Sequence, residues 1–347
     1  MVDANGLFEL LRKSYGRLAA GLGDGGRLAP YRLQFELTYR CNFSCVHCFQ
    51  QDCRRQVELP AERWCALVDE IARAGTLWLT LTGGEPFLHP GFQPIYERAV
   101  RAGMLVTVFS NGSSLTGEAL ELLVRLPPRS LEVTLYGFSP ESYRRVTGRA
   151  ENFELAVGGV RRAAEAGLAV QVKTMVFDET LADFEAIRAF AGGLGLGFRY
   201  DTVVHAALGG SQRPGAHRLA PARIAALESA DARTTQTLCE RLDAPAPDDR
   251  LFRCGAGRRA FSVAPDGALQ LCTLLRSPRF DLASHGFAKA WAALGREVER
   301  RYDREARCRG CELRRVCSIC PGLAAVERGD PQAAVEHLCE IARLRAK

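Results

Sequence analysis

The sequence lacks the long apolar runs by which membrane-spanning proteins are recognised. None of its hydrophobic stretches reaches the ~20 consecutive residues that a transmembrane helix needs. The first residues, MVDANGLFELLRKSYGRL, have the pattern of a short amphipathic helix rather than that of a signal peptide. We therefore expect no membrane association and a cytoplasmic location, and we assign residues 1–30 to an N-terminal helical lead-in.

Lysine is scarce, and the sequence has no block of basic residues with aromatic residues between them. Only 4 of the 46 basic residues are lysine, so 42 are arginine, and they are interleaved with 40 acidic residues. Interleaved charges of this kind are typical of solvated surface pairs. The net charge of +6 is therefore spread over the chain, and we expect no nucleic-acid partner. An anionic partner stays open.

Cysteine, by contrast, is abundant, with 13 residues. Disulfides are disfavoured in the cytoplasm, so clustered cysteines in such a protein indicate metal or redox sites. A front group consists of Cys41, Cys45 and Cys48. A second group near the end consists of Cys254, Cys272, Cys308, Cys311, Cys317, Cys320 and Cys339. The others, which are isolated and read as small apolar residues, are Cys53, Cys65 and Cys239.

Strand-like and helix-like segments alternate from Tyr31 onward. The predicted strands cover residues 31–38, 76–82, 105–110, 130–136, 169–176 and 197–204. The predicted helices lie near residues 60–74, 91–102, 115–125, 153–166 and 182–194. Such regular alternation predicts an α/β fold with a parallel sheet covered by helices. Six units fit either an open doubly wound sheet or an incomplete barrel.

Unusual residues follow four of these strands directly. CNFSCVHC follows the first strand, GGEP the second, SNG the third and YGF the fourth. Parallel α/β folds place their sites at the carboxyl ends of the strands. We therefore expect the chemistry on this one face of a core that covers residues 31–208.

The alternation stops after this core. Residues 209–253 are rich in Gly, Pro, Ala and Asp and are read as a bridge that contains a helix. Residues 254–347 then combine a predicted hairpin at 261–272, a predicted helix at 286–302 and the second cysteine group. We expect a small cysteine-rich domain that its ligands help to stabilise.

The front cysteines have the spacing C-x3-C-x2-C, which is one ligand short of a closed metal site. Three thiolates on one loop hold three corners of a four-iron cluster and leave the fourth iron open to a ligand. The alternatives are a zinc knuckle that borrows a distant ligand and a chance clustering of cysteines. One strand further on, Gly83 and Gly84 allow the backbone close approach to a ligand, and Glu85 offers an acceptor for an ammonium group.

CNFSCVHC, GGEP and the six β/α units together resemble the radical S-adenosylmethionine (radical SAM) enzymes, whose core is a partial (β/α)6 TIM-like barrel. The resemblance implies that the front cysteines hold a 4Fe-4S cluster and that the open iron binds S-adenosyl-L-methionine. Reductive cleavage then gives a 5′-deoxyadenosyl radical that abstracts hydrogen from the substrate. The cofactor contacts implied by the resemblance are His47, Gly83, Gly84, Glu85, Ser110, Asn111, Thr134 and Arg145, with Arg144 as the alternative to Arg145.

For the second cysteine group the spacing alone favours structural zinc. Its pattern resembles the SPASM extension of radical SAM enzymes, except that the gap from Cys317 to Cys320 is one residue shorter than usual. The resemblance implies one or two auxiliary 4Fe-4S clusters. One would be held by Cys308, Cys311, Cys317 and Cys339. The other would be held by Cys254, Cys272 and Cys320, with Cys239 as a candidate fourth ligand.

The same resemblance implies an oxidoreductase whose substrate is a peptide. Thr273 stands where sulfatase-maturing relatives have an aspartate, which argues against that activity. About thirty residues precede the core, too few for a winged-helix peptide-binding domain, so a separate peptide-recognition protein would be needed unless the peptide binds the barrel mouth directly. An electron donor such as flavodoxin or ferredoxin is implied, and Asp201 and His205 are candidate proton acceptors. The alternatives are the same chemistry on a small molecule or tetrapyrrole precursor, and a zinc-stapled binding module or electron carrier.

Overall fold

The structure of the protein is a computed structural model that describes residues 29–54, 56–245 and 247–347. The predicted helical lead-in over residues 1–30 lies outside the described residues except for its last two. Within the described residues, no helix has the length and apolarity needed to cross a bilayer.

The strands form one sheet in the order β6-β5-β4-β3-β2-β1-β7-β8-β9. Their bounds are β1 Arg32–Thr38, β2 Trp78–Gly83, β3 Leu105–Ser110, β4 Ser130–Thr134, β5 Val170–Met175, β6 Gly197–Asp201, β7 Ala260–Val263, β8 Ala268–Gln270 and β9 Arg279–Asp281. Each neighbouring pair from β1 to β6 is parallel. Because β6 and β9 are the two ends of the order, the described sheet is not closed. The predicted α/β class with a partial barrel is confirmed.

Helices connect the parallel strands as the sequence predicts. Their bounds are α1 Ala61–Arg73, α2 Phe92–Arg101, α3 Gly117–Arg125, α4 Pro140–Thr147, α5 Asn152–Glu165, α6 Phe184–Gly193, α7 Pro221–Ser229, α8 Ala232–Asp243, α9 Leu282–His285, α10 Phe287–Glu297, α11 Pro321–Arg328 and α12 Glu336–Arg345. The predicted helices between the strands match α1, α2, α3, α5 and α6 to within a few residues. Helix α4 was not predicted, although its signals are present: the Ser139 side chain accepts from the Ser142 N–H, Pro140 begins the helix, and Gly148 ends it at φ 85°.

Side chains alternate between two environments along each strand of the partial barrel. In β4, Leu131 and Val133 are fully buried, whereas Glu132 and Thr134 are only partly buried. Since successive side chains of a strand point to opposite faces, the first pair packs under the helices and the second faces the barrel lumen. The lumen therefore carries polar residues.

The C-terminal strands extend the same sheet. The predicted hairpin is present, with β7 antiparallel to β8, and β7 also pairs in parallel with β1. Strand β1 is therefore flanked by β2 on one side and β7 on the other. Residues on both sides of the predicted domain boundary share one hydrophobic core.

The predicted bridge over residues 209–253 contains two helices, α7 and α8, where a single helix was expected. Ile224 of α7 packs with Leu338 and Ile341 of α12. The same contact includes an ion pair between Arg345 and Glu228, whose side chains are only 8% and 9% exposed. The bridge is thus packed against the end of the chain.

Candidate active site

The three front cysteines lie in the loop that follows β1. Cys45 is buried, and Cys41 and Cys48 are half-buried. Main-chain hydrogen bonds fix the loop to the end of α4, from Ser44 N to Thr147 O at 3.2 Å and from Val46 N to Val146 O at 2.9 Å. The helix that the sequence did not reveal therefore positions the cysteine loop.

The three thiols lie close enough to affect one another's ionisation. Burial raises the pKa of Cys41 to about 11, and Glu85 and Cys48 add to this effect. Burial also raises the pKa of Cys45 well above its ordinary value, with further contributions from Cys48 and Cys41. All three are free thiols. Because a thiolate is the form that ligates metal, this buried donor set fits a positively charged metal cluster that would compensate its charge.

Gly83 and Gly84 bring the end of β2 against the cysteine loop. A Cβ on Gly84 would lie 2.3 Å from the carbonyl oxygen of Arg40, and one on Gly83 would lie 2.1 Å from that of Thr38. Gly83 also has φ 127°. The Gly84 N–H donates to Thr38 O at 2.7 Å. Both glycines line the cavity described below, so backbone is exposed where side chains would not fit.

Glu85 is not among the residues that line this cavity. It is fully buried and accepts hydrogen bonds from Ser110 Oγ at 3.1 Å and from the main-chain N–H of Asn111 at 2.8 Å. Burial raises its pKa to about 7. Asn111 Nδ2 in turn lies 3.7 Å from Cys41 Sγ. These hydrogen bonds link the ends of β2 and β3 to each other beside the cysteine loop. The ammonium contact of Glu85 stays a prediction.

A cavity of about 380 Å³ opens over the cysteine loop. Its wall includes all three front cysteines, Gly83, Gly84 and Thr134 from the predicted set. It also contains the two candidate proton acceptors, Asp201 and His205. Residues that the sequence analysis did not select complete the wall: Tyr39, Phe43, Phe49, Gln50, Arg54, Tyr136, Lys173, Thr174, Met175, Arg199, Tyr200, Val203 and Val204.

His47 is part of this wall and packs between aromatic rings. Its ring centroid lies 4.5 Å from that of Phe177 and 5.3 Å from that of Tyr136. Burial lowers the pKa of His47 to about 3, so the imidazole is neutral near pH 7. Its Nδ1 is buried without a hydrogen-bond partner among the described residues. A neutral donor or acceptor is thereby available beside the thiols.

The two candidate arginines are not brought to the cavity. Arg144 and Arg145 are exposed on α4. Arg144 forms an ion pair with Glu141, and Arg145 donates to Ser142 Oγ at 3.3 Å. The cations of the cavity wall are instead Arg54, Lys173 and Arg199. In the strand segment AVQVKTMV the side chains of Gln171, Lys173 and Met175 alternate with those of the valines and so lie on the opposite face of the strand. This alternation could have identified Lys173 as a residue that faces the cavity.

A hub of buried hydrogen bonds ties the cysteine loop to the C-terminal strands. The fully buried carboxylate of Glu36 accepts from Tyr39 Oη at 2.9 Å, from Gln50 Nε2 at 2.7 Å and from Gln270 Nε2 at 3.2 Å. Burial raises the pKa of Glu36 to about 7 despite the nearby Arg276. Because Gln50 follows the front cysteines and Gln270 belongs to β8, Glu36 holds both segments against β1.

The later cysteines separate into two sets of neighbours. The tail quartet is Cys308, Cys311, Cys317 and Cys339, and the tail trio is Cys254, Cys272 and Cys320. Burial raises the pKa of Cys317 to about 11, and the other three thiols of the quartet contribute. Burial likewise raises the pKa of Cys272 to about 11, with contributions from Cys320 and Cys254. By these contributions Cys317 belongs with the quartet and Cys320 with the trio, although both line one cavity together with Cys254.

Two further observations concern these sets. Cys239, the candidate fourth ligand of the tail trio, lies exposed on α8. In the part of the chain that the structure describes, no group of three or more His, Cys, Asp or Glu side chains is arranged as a binding site for a single metal ion.

Comparisons with known proteins give consistent matches. Residues 35–191 match the sequence profile described as "Radical SAM superfamily". Mycofactocin maturase MftC of Mycobacterium ulcerans is 26% identical over 281 residues, which cover 77% of this chain and 76% of the relative. The AdoMet-dependent heme synthase of Methanosarcina barkeri is 30% identical, over 48% of each chain. The crystal structure of Streptococcus suis SuiB bound to precursor peptide SuiA superposes with a TM-score of 0.72 at 14% identity, covering 96% of this chain and 81% of SuiB.

Proposed function

We propose that this chain is a radical SAM enzyme that generates a 5′-deoxyadenosyl radical and uses it to modify a peptide, because residues 35–191 match the radical SAM superfamily profile. The observation that carries the proposal is the convergence of Cys41, Cys45 and Cys48 in the wall of one cavity at the carboxyl ends of parallel strands. No fourth cysteine lines that cavity among the described residues.

In this proposal the three thiolates hold a 4Fe-4S cluster with one iron open. When bound, that cluster anchors S-adenosyl-L-methionine and supplies the electron that cleaves it to methionine and a 5′-deoxyadenosyl radical. Gly83 and Gly84 leave room for a ligand beside the cluster because their positions admit no side chain. Neutral His47 and Tyr136 offer an aromatic surface for the ligand.

The same wall protects a reactive radical from water. Phe43, Tyr136 and Met175 form an apolar part of the cavity wall, and the rings of Phe43 and Tyr136 pack edge to face with their centroids 6.4 Å apart. Exclusion of water prevents side reactions of reactive intermediates. Thr134 and Asp201, at the ends of β4 and β6, are two of the polar residues in the wall and are proposed to orient ligand and substrate.

We further propose that the later cysteines hold auxiliary 4Fe-4S clusters. The tail quartet offers four thiols to one cluster. The tail trio offers three, and the exposed position of Cys239 on α8 favours an auxiliary cluster with an open iron rather than a fully ligated one. An electron donor such as flavodoxin or ferredoxin and a cytoplasmic location belong to the same proposal.

A peptide substrate is supported by the relatives that align over most of the chain, since these are named as maturases, and by the fold shared with a precursor-peptide complex. A small-molecule or tetrapyrrole precursor is the second candidate. The observation that favours it is the similarity to the heme synthase, which is more identical to this chain than MftC is (30% against 26%) but aligns with only 48% of it. A separate peptide-recognition protein remains part of the peptide proposal.

The test is anaerobic reconstitution of the full chain, followed by measurement of bound iron and of 5′-deoxyadenosine release. Wild type should bind iron and release 5′-deoxyadenosine, whereas Cys45→Ala should lose the release. The matched control is Cys65→Ala, because Cys65 lies on α1 and contacts Pro94 O at 3.6 Å, outside the cavity wall. Unimpaired release by Cys45→Ala would reject the ligand role, and zinc without iron would favour a binding module.

A further inference from the structure

Lys173 and Glu132 lie in the barrel lumen, where the more exposed side chain of Arg199 meets them. The sequence alone assigned none of these three residues a role. Lys173 Nζ lies 3.4 Å from Glu132 Oε2, and Arg199 forms an ion pair with the same oxygen. Lys173 Nζ also lies 3.3 Å from the centroid of the Phe109 ring. We call Lys173, Arg199 and Glu132 the lumen cluster.

The lumen cluster has more positive than negative charge. Among the described residues, the ion pairs of Lys173 and Arg199 both end on Glu132. The Lys173 side chain is only 13% exposed, so water compensates its charge poorly, whereas the Arg199 side chain is 53% exposed and is partly solvated. Burial and the neighbouring Arg199 lower the pKa of Lys173 to about 8, against the effect of Glu132. A second anion beside the two cations would remove this imbalance.

The two cations face the cavity, whereas their carboxylate partner faces the other way. Lys173 and Arg199 line the 380 Å³ cavity that contains the front cysteines. Glu132 and Phe109 line a separate cavity of about 440 Å³ on the far side of the lumen cluster. Asp201, the acidic residue of the first wall, turns its Oδ1 to the main-chain N–H of Val203 at 2.8 Å. The cavity side of the two cations is thus open to a ligand.

We propose that the lumen cluster binds a carboxylate of the substrate, which pairs with Lys173 and Arg199 from the side opposite Glu132. A guanidinium and an ammonium side by side suit a carboxylate, because charge-assisted hydrogen bonds from both are short and strong. This inference rests on the proposed function, since it takes the substrate to be a peptide. The carboxylate is either an Asp or Glu side chain or a free C-terminus, and the anchored group holds the peptide across the cavity from the thiols.

Defined probes test the proposal on the anaerobically reconstituted full chain. One pair is N-acetyl-Ala-Glu-Ala-amide and its Gln counterpart, and the other is N-acetyl-Ala-Ala-Ala as the free acid and as the amide. Isothermal titration calorimetry gives the dissociation constant of each. We expect one acidic probe to bind about tenfold or more tightly than its neutral counterpart. The preferred pair identifies which carboxylate the site takes.

Substitution of either cation and substitution of Glu132 should change the preference for the acidic probe in opposite directions. Lys173→Met and Arg199→Gln should each abolish the preference for the acidic probe. Glu132→Gln should increase it about tenfold, because both cations then lack their anion. A purely structural role of the cluster predicts no such increase. The matched controls are Lys289→Met and Arg188→Gln, both outside the cavity wall, which should leave the preference unchanged.

A second measurement tests whether Lys173 and Arg199 bind the carboxylate of the substrate or the carboxylate of S-adenosyl-L-methionine. The dissociation constant of S-adenosyl-L-methionine should be the same in wild type, Lys173→Met and Arg199→Gln. Equal binding of acidic and neutral probes by wild type would overturn the proposal, as would variants that weaken S-adenosyl-L-methionine binding and keep the probe preference. Absence of 5′-deoxyadenosine release from wild type would instead overturn the proposed function.

Discussion

Gly84→Ala tests whether the cysteine loop depends on contact between two stretches of backbone. The added Cβ would lie 2.3 Å from the carbonyl oxygen of Arg40 and 2.8 Å from that of Tyr39, whereas real Cβ atoms essentially never approach within 3.0 Å. The loop and the end of β2 must therefore separate by about 0.7 Å or more, from 3.0 minus 2.3. The atoms that the added Cβ would meet belong to the backbone of Arg40 and Tyr39, so the clash cannot be relieved by the movement of a flexible side chain.

The separation has a predictable cost. Overpacking of this kind costs about 1–3 kcal/mol, and the hydrogen bonds from Gly84 N to Thr38 O and from Glu85 N to Arg40 O lengthen from 2.7 and 2.9 Å. We expect Gly84→Ala to lower the free energy of unfolding of the metal-free protein by about 2 kcal/mol. Because Cys41 follows Arg40 directly, we also expect the reconstituted variant to bind less iron and to release less 5′-deoxyadenosine.

Urea unfolding of the metal-free chain and iron analysis of the reconstituted chain measure the two effects. The matched control is Gly192→Ala, because nothing lies within 4 Å of a Cβ at that exposed helical position. This control should be neutral or slightly stabilising, by up to about 1 kcal/mol. If Gly84→Ala matches Gly192→Ala in both stability and iron content, the close approach does not support the loop and the reasoning is wrong.

Two further predictions concern buried charges. Glu36 has a pKa raised from 4.5 to about 7, so its contribution to stability is fully present below pH 4.5 and is lost as the pH rises towards 7. Between these two pH values the free energy of unfolding of Glu36→Gln should therefore increase by about 3 kcal/mol relative to that of wild type. Parallel pH profiles of the two metal-free proteins would contradict this prediction. Arg345→Ala leaves Glu228 as a buried carboxylate without its ion-pair partner and should lower the free energy of unfolding in urea by about 3–5 kcal/mol. The control is Arg343→Ala, which should lower it by less than about 1 kcal/mol because the Arg343 side chain is 48% exposed. Similar losses in the two variants would show that burial does not strengthen the ion pair of Arg345 and Glu228.

The sequence was sufficient for the elements that depend on local patterns. Apolar periodicity and glycine stops placed five of the helices between the strands and the six parallel strands. Helix α4 was missed because its eight residues carry a short pattern, although Ser139, Pro140 and Gly148 mark both of its ends.

Side-chain direction at the strand ends depends on tertiary contacts that the sequence does not display. Glu85 follows its glycines as the resemblance requires, yet partners from the next strand turn its carboxylate into the protein. Arg145 has a suitable spacing from Thr134 but lies on the exposed face of α4. Lys173 and Arg199 come from adjacent strands, and only their register in the sheet brings them opposite each other.

The position of β1 between β2 and β7 has a consequence for how the protein is made. Strand β1 is synthesised well before one of its two neighbours, Ala260–Val263, which follows it by more than two hundred residues. Pairing between such distant segments forms slowly, because a long loop of chain must close first. The nascent chain therefore carries Cys41, Cys45 and Cys48 beside a strand that still lacks one of its partners, and the complete surroundings of the cysteine loop form only after β7 has been synthesised.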